Sequence, residues 1–167
     1  SNYYDEFVLL ARTMQQQKVQ AKAIYSILGG AASNFRFVNE FPDAAQYIID
    51  CNHWVDPRKP EAATLRKQTE DAKLYFTYEL FLNHECMRLL GDALERAKSS
   101  KRDAVTDALA SSTWSKHMMP YGPTKFVDGQ NQGAAPVNTQ VIGKDIKVIF
   151  PAEFANAKPV YPMPERK

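Results

Sequence analysis

Ala23-Ile24-Tyr25-Ser26-Ile27-Leu28-Gly29-Gly30-Ala31-Ala32-Ser33 and, further on, Ala45-Gln46-Tyr47-Ile48-Ile49-Asp50-Cys51-Asn52-His53-Trp54 decide how this chain folds. The first is a short apolar run stopped by two glycines, where the chain can turn without a Cβ penalty. A short helix is expected from Ser33 to Asn39, with Phe35 or Phe37 and Val38 turned inward. The second run, Ala45 to Asp50, reads as another buried strand. A strand, a helix and a strand in this order begin a βα alternation.

Working outward, Phe7, Leu10, Ala11 and Met14 follow the i, i+3, i+4, i+7 rule between Asp5 and Gln17, which makes one apolar stripe on an amphipathic helix. After a loop from Trp54 to Pro60, a helix is expected from Glu61 to about Asp71, with Ala62, Leu65 and Thr69 on one side. The longest periodic element runs from Tyr78 to Lys98. Its pattern turns Leu82, Cys86, Leu89, Leu90, Ala93, Leu94 and Ala97 inward and Glu85, Arg88, Asp92, Glu95 and Arg96 outward. A shorter helix spans Arg102 to Ala110. From Pro120 the pattern changes to strand: Thr124 to Val127, a turn at Asp128-Gly129, Val137 to Ile142, a turn at Gly143-Lys144-Asp145, and Ile146 to Phe150 as a hairpin partner. The tail, with Pro151, Pro159, Pro162 and Pro164, continues neither periodicity and is expected to lie extended on the surface. The fold class is therefore α/β, a layered lobe ending in an antiparallel hairpin. Ligands in such sheets sit beyond the carboxyl ends of the strands, which selects the residues before the first helix, the Gly29-Gly30 loop and Cys51-Asn52-His53-Trp54.

With 167 residues and 44% hydrophobic content the chain can bury one core. Its 21 basic and 19 acidic residues are interspersed without a basic stripe, so nucleic acid is not an expected partner. No run approaches the roughly 20 apolar residues that span a bilayer. The opening Ser1-Asn2-Tyr3-Tyr4 has no signal-peptide layout and is read as the start of a fragment or processed product. Cys51 and Cys86 lack zinc-ligand spacing and are expected to be small buried thiols, with a disulfide between them as the other option.

Catalytic patterns are missing. Neither phosphate-gripping glycine motif occurs, and there is no G-x-S-x-G or H-E-x-x-H. Gly29-Gly30-Ala31 reads as a tight turn, with backbone N–H groups facing a ligand as the functional option. His53 and Trp54 lie in the densest polar cluster, either as loop structure or as ligand contacts. Tyr3 and Tyr4 stand just ahead of a helix, whose free N–H groups and positive dipole end suit a carboxylate, while a phenol can stack and hydrogen-bond. Capping and packing explain them equally well. No metal site and no cofactor are expected.

The order of these elements resembles a known family. Tyr3-x-x-Glu6 opens a helix, a strand led by Lys22 ends in small residues at Ala32, and a strand leads to Trp54-Val55-Asp56-Pro57. Leu89-Leu90-Gly91-Asp92-Ala93-Leu94-Glu95-Arg96-Ala97, Ala104 to Ala110, and Tyr121-Gly122-Pro123-Thr124-Lys125-Phe126-Val127-Asp128-Gly129-Gln130-Asn131 follow. Together they resemble the C-terminal half of type I periplasmic solute-binding proteins of the branched-chain amino acid ABC transporter family. The resemblance implies a three-layer lobe of that kind. Residues 1–72 would be the later part of the ligand-binding lobe, 73–119 helices that pack with the other lobe, 120–150 return strands, and 151–167 an extended tail. It implies no enzymatic activity. The partners it implies are a small-molecule solute, a membrane permease and the N-terminal half of the same protein, in the periplasm. A detached fragment would expose a normally covered face and could dimerise.

Carried over by position, the aromatic that lies on the solute falls on Tyr3, and the acid that pairs with an amino acid's ammonium falls near Gly29. Glycine supplies no such charge, so the resemblance leans toward relatives that take up aromatic carboxylates, with a branched-chain amino acid as the other solute. Tyr3, Phe35 and Trp54 would then offer stacking surface. The ligand-binding residues implied are Tyr3, Tyr4, Gly29, Gly30, Ala31, Phe35, His53 and Trp54. Two readings of other classes remain: the sensing domain of a regulator with this fold, and a piece of an α/β enzyme. The first needs an effector segment and the second a nucleophile with its base; neither is visible.

Overall fold

A computed structural model describes residues 3–27 and 30–166. The helices are α1 (Tyr4–Gln16), α2 (Phe35–Glu40), α3 (Pro42–Ala45), α4 (Pro60–Asp71), α5 (Tyr78–Ala97) and α6 (Arg102–Ala110), with a 3-10 turn at Ala31–Ser33. The strands are β1 (Tyr25–Ile27), β2 (Ile49–Asn52), β3 (Phe126–Val127), β4 (Gln130–Asn131), β5 (Val137–Ile142) and β6 (Asp145–Phe150). One sheet has the order β1-β2-β5-β6, and β3-β4 form a separate two-stranded ladder. β1 and β2 run parallel, with Ile27 opposite Cys51. β5 is antiparallel to β2, and β6 returns beside it as the expected hairpin. The architecture is the expected α/β lobe, closed by a C-terminal antiparallel pair.

Strand alternation divides the sheet into two faces. Ser26, Asp50, Thr139 and Val148 form one cross-sheet row, and all four are buried. This side carries the core, in which Phe7, Phe37, Val38, Ile48, Val141 and Ile146 pack under α1, α2 and α3. On the other side Tyr25, Ile27 and Phe150 are exposed. The tail crosses that side. Asn156 accepts from the Val148 N–H of β6 at 2.9 Å, the Val160 N–H donates to Gln140 Oε1 of β5 at 2.8 Å, and the Met163 N–H donates to the Lys22 carbonyl at 2.8 Å.

Five expectations are corrected. The second strand does not cover Ala45 to Asp50: Pro42 starts α3, Tyr47 takes a positive φ of 63°, and only Ile49–Asn52 pairs. In α5 the inward and outward assignments invert locally, because Glu85 is buried while Cys86 and Leu94 are exposed. Leu10 of α1 likewise faces out, with Val8 buried in its place. The proline-rich tail is docked, with Phe154 and Met163 buried. Both cysteines are free, and neither is the buried thiol expected, because Cys51 is half-buried and Cys86 exposed. Among the described residues, no helix is long and apolar enough to cross a membrane.

Candidate functional site

The carboxyl ends of β1 and β2 lie side by side, and the turn after β1 is built against them. Gly30 has φ +74°, a conformation that favours glycine. A Cβ there would come 2.9 Å from Cε1 of Tyr78, so the first residue of α5 presses directly on the turn. Ala31 and Ala32 behind it are fully buried. Ser33 closes the turn with its hydroxyl, which donates to Asp50 Oδ2 at 2.7 Å.

Asp50 ties the turn to the strand beside it. The same Oδ2 accepts from Asn52 Nδ2 at 3.3 Å, and Asn52 Oδ1 in turn accepts the His53 N–H at 2.8 Å. Thr139 of β5 donates to the Asp50 carbonyl at 3.3 Å. Asp50 is completely buried, its Oδ1 has no hydrogen-bond partner, and no ion pair reaches it among the described residues. Burial raises the Tyr78 phenol above its ordinary value, and the charges of Glu79 and Asp50 add to this. A carboxylate inside the apolar run Tyr47-Ile48-Ile49-Asp50 was the signal available in the sequence, because buried acids without partners are rare. Sequence reasoning missed Ser33, Asp50 and Tyr78, and it placed Asn52 in the strand-end segment without giving it a role.

The sequence-derived positions fall into three groups. Gly30, Ala31 and the half-buried His53 lie together at the strand ends. Gly29 lies outside the described residues. Tyr3 caps α1 from an extended conformation and is 85% exposed, a free aromatic surface. Tyr4 turns to α2 instead, where the Arg36 guanidinium lies 5.1 Å from its ring centre. Burial pushes its phenol up to about 12, against the lowering pull of Arg36, and its hydroxyl has no partner.

Phe35 and Trp54 come together, but in the core. Their ring centres are 6.3 Å apart, and Trp54 meets Phe76 at 5.6 Å and Phe81 at 6.0 Å, both edge to face. Only a rim of this box borders a cavity of about 170 Å³, where the Arg66 guanidinium covers Phe35 at 4.0 Å. Both rings serve packing here, so of the three expected stacking surfaces Tyr3 alone stands free. No cluster of three or more His, Cys, Asp or Glu among the described residues could hold a metal ion.

No protein-family model matches this sequence, and no curated protein is similar to it. Solved structures do share its fold. A leucine-binding protein, LivK, from Thermotoga maritima superimposes with a TM-score of 0.68 at 18% identity, over 88% of this chain and 41% of that one. A crystal structure assigned to a branched-chain amino acid ABC transporter from Silicibacter pomeroyi superimposes with a TM-score of 0.69 at 16% identity, over 96% of this chain and 45% of that one. The class defined is thus the solute-binding-protein fold. The chain spans less than half the length of either neighbour.

Proposed function

We propose that this chain is part of the solute-binding component of an ABC importer, which captures a small carboxylate such as an aromatic acid or a branched-chain amino acid in the periplasm and passes it to a membrane permease. The observation that carries this reading is the strand-end turn: Gly30 to Ser33 sits at the carboxyl ends of two parallel strands in a fold shared with solute-binding proteins. That edge is where open α/β sheets receive ligands. Tyr3, exposed ahead of α1, supplies an aromatic surface beside free helix N–H groups, which suits a carboxylate. Residues 73–119 would meet the other lobe, supplied by the N-terminal half of the same protein.

A thermal-shift screen of the complete protein against branched-chain amino acids, amides and aromatic carboxylates tests the reading. A bound solute at about 100 times its Kd adds roughly 2.7 kcal/mol to stability. Stabilisation by a member of the panel, weakened by Tyr3→Ala, is the expected result. A flat response to every compound would refute the reading.

A further inference from the structure

We propose that the cavity at the amino ends of β1 and β2 is a second binding site, which takes a small monocarboxylate side-on against the guanidinium of Arg166. The inference does not depend on the strand-end turn receiving a solute. The cavity has a volume of about 320 Å³ and is walled by Gln15 of α1, Asp43 of α3, Tyr47 ahead of β2, and Met163, Glu165 and Arg166 of the tail. Tyr47 precedes the first residue of β2, and Met163 is bonded to Lys22, which precedes the first residue of β1. The cavity therefore lies at the end of the strands opposite the Gly30 turn. Its volume is at the lower end of the range that small-molecule sites occupy.

Arg166 is pinned from three directions. Its N–H donates to Gln20 Oε1 and its carbonyl accepts from Gln20 Nε2, both at 3.2 Å, while Nη1 donates to Gln15 Oε1 at 2.5 Å. Gln15 is also part of the wall, so the bonded guanidinium and amide together form one side of the cavity. Arg166 is only 8% exposed, and none of the ion pairs among the described residues includes it. Nε and Nη2 have no hydrogen-bond partner among the described residues. Burial lowers the pKa of Arg166, and no carboxylate raises it in return. A guanidinium stays charged even so, and a buried cation with unpaired donors is costly. Nε–H and an Nη2–H lie along one edge of the planar group, and that edge matches the two oxygens of a carboxylate. Asp43 and Glu165, both exposed, add two negative charges to the same wall. They oppose a dianion such as phosphate more than a singly charged carboxylate.

The test follows the Nε–H signal of Arg166 by proton–nitrogen NMR of the complete protein during titration with sodium acetate, with sodium chloride and sodium phosphate at matched ionic strength as comparisons. Arg166→Lys keeps the charge, loses the fork and identifies the signal. The expected result is a saturable shift with acetate, accompanied by the side-chain amide of Gln15, and unchanged in Tyr3→Ala because the strand-end site is remote. The Gln15 shift should vanish in Arg166→Lys. Asp43→Asn, at an exposed position, should tighten acetate binding by about 2- to 5-fold. A shift that never saturates, or that chloride reproduces, overturns the inference, as does a Gln15 shift that survives in Arg166→Lys. Tighter binding of phosphate than of acetate overturns the assignment to a monocarboxylate. Should Arg166→Lys release the tail, seen as loss of protection at the Met163 amide, Asp43→Asn decides: unchanged or weaker acetate binding there overturns the proposal.

Discussion

The sheet with α1 to α3 and the pair α5–α6 are built on opposite plans. In the first, side chains of a buried row on every strand meet helices, and large residues such as Phe37, Ile48 and Val141 are wholly covered. In the second, α5 is anchored at its start by Phe81 against Trp54 and Phe76, and then leaves the core. Further along, Met87 is exposed and Leu94 partly so, although both lie on an amphipathic helix whose chief neighbour is α6. Within this chain these two apolar side chains of α5 are left uncovered.

Phe81→Ala should show the largest effect, about 3–5 kcal/mol of lost stability from the cavity it opens. Hydrogen exchange would locate the loss: amides of α5 should lose protection first while β2 and β5 keep theirs. Uniform loss would mean that the two regions form one cooperative unit, and the contrast drawn here would fail. Arg88→Ala comes next. It removes the 3.0 Å partner of Glu85, a carboxylate only 3% exposed, and should cost about 1–3 kcal/mol in urea unfolding.

A third effect is conditional on pH. Burial, with help from nearby Lys59, lowers the pKa of His117 from its ordinary 6.5. The folded state therefore holds the ring neutral where the unfolded chain would protonate it. Stability is complete above about 6.5 and falls as the pH drops below that value, because there the unfolded state binds more protons. Thermal melts of His117→Gln between neutral and mildly acidic pH should lose part of this acid sensitivity. An unchanged profile would assign it to other groups. Smallest of all, Leu94→Ser should alter the stability of this chain by no more than about 0.5 kcal/mol. A larger loss would break the comparison by showing that Leu94 is packed in solution.

Much of the architecture was legible because local rules and tertiary packing agreed. The spans of α4, α5 and α6 follow from Pro60 and simple periodicity, and the β5–β6 hairpin follows from Gly143 between two alternating runs. The start of β2 was not legible, because the choice between strand and turn at Tyr47 depends on its carbonyl and N–H finding Gln140 and Val141 far along the chain. The candidate site was legible by place and not by membership. The strand-end rule selected Gly30 and His53, but Trp54 sits on the same segment and turns into the core, and nothing in the sequence joins Ser33 to Asp50.

By itself the sequence determined an α/β order of elements, a left-handed turn that glycine makes easy, and the amphipathic stripes of the long helices, since all of these depend on neighbours a few residues apart. Only the tertiary structure decided which stripes are covered, which aromatic rings face solvent, and that Asp50 stands buried with one oxygen unpaired. Burial and charge compensation depend on groups brought together from distant parts of the chain, and spacing along the sequence does not encode them.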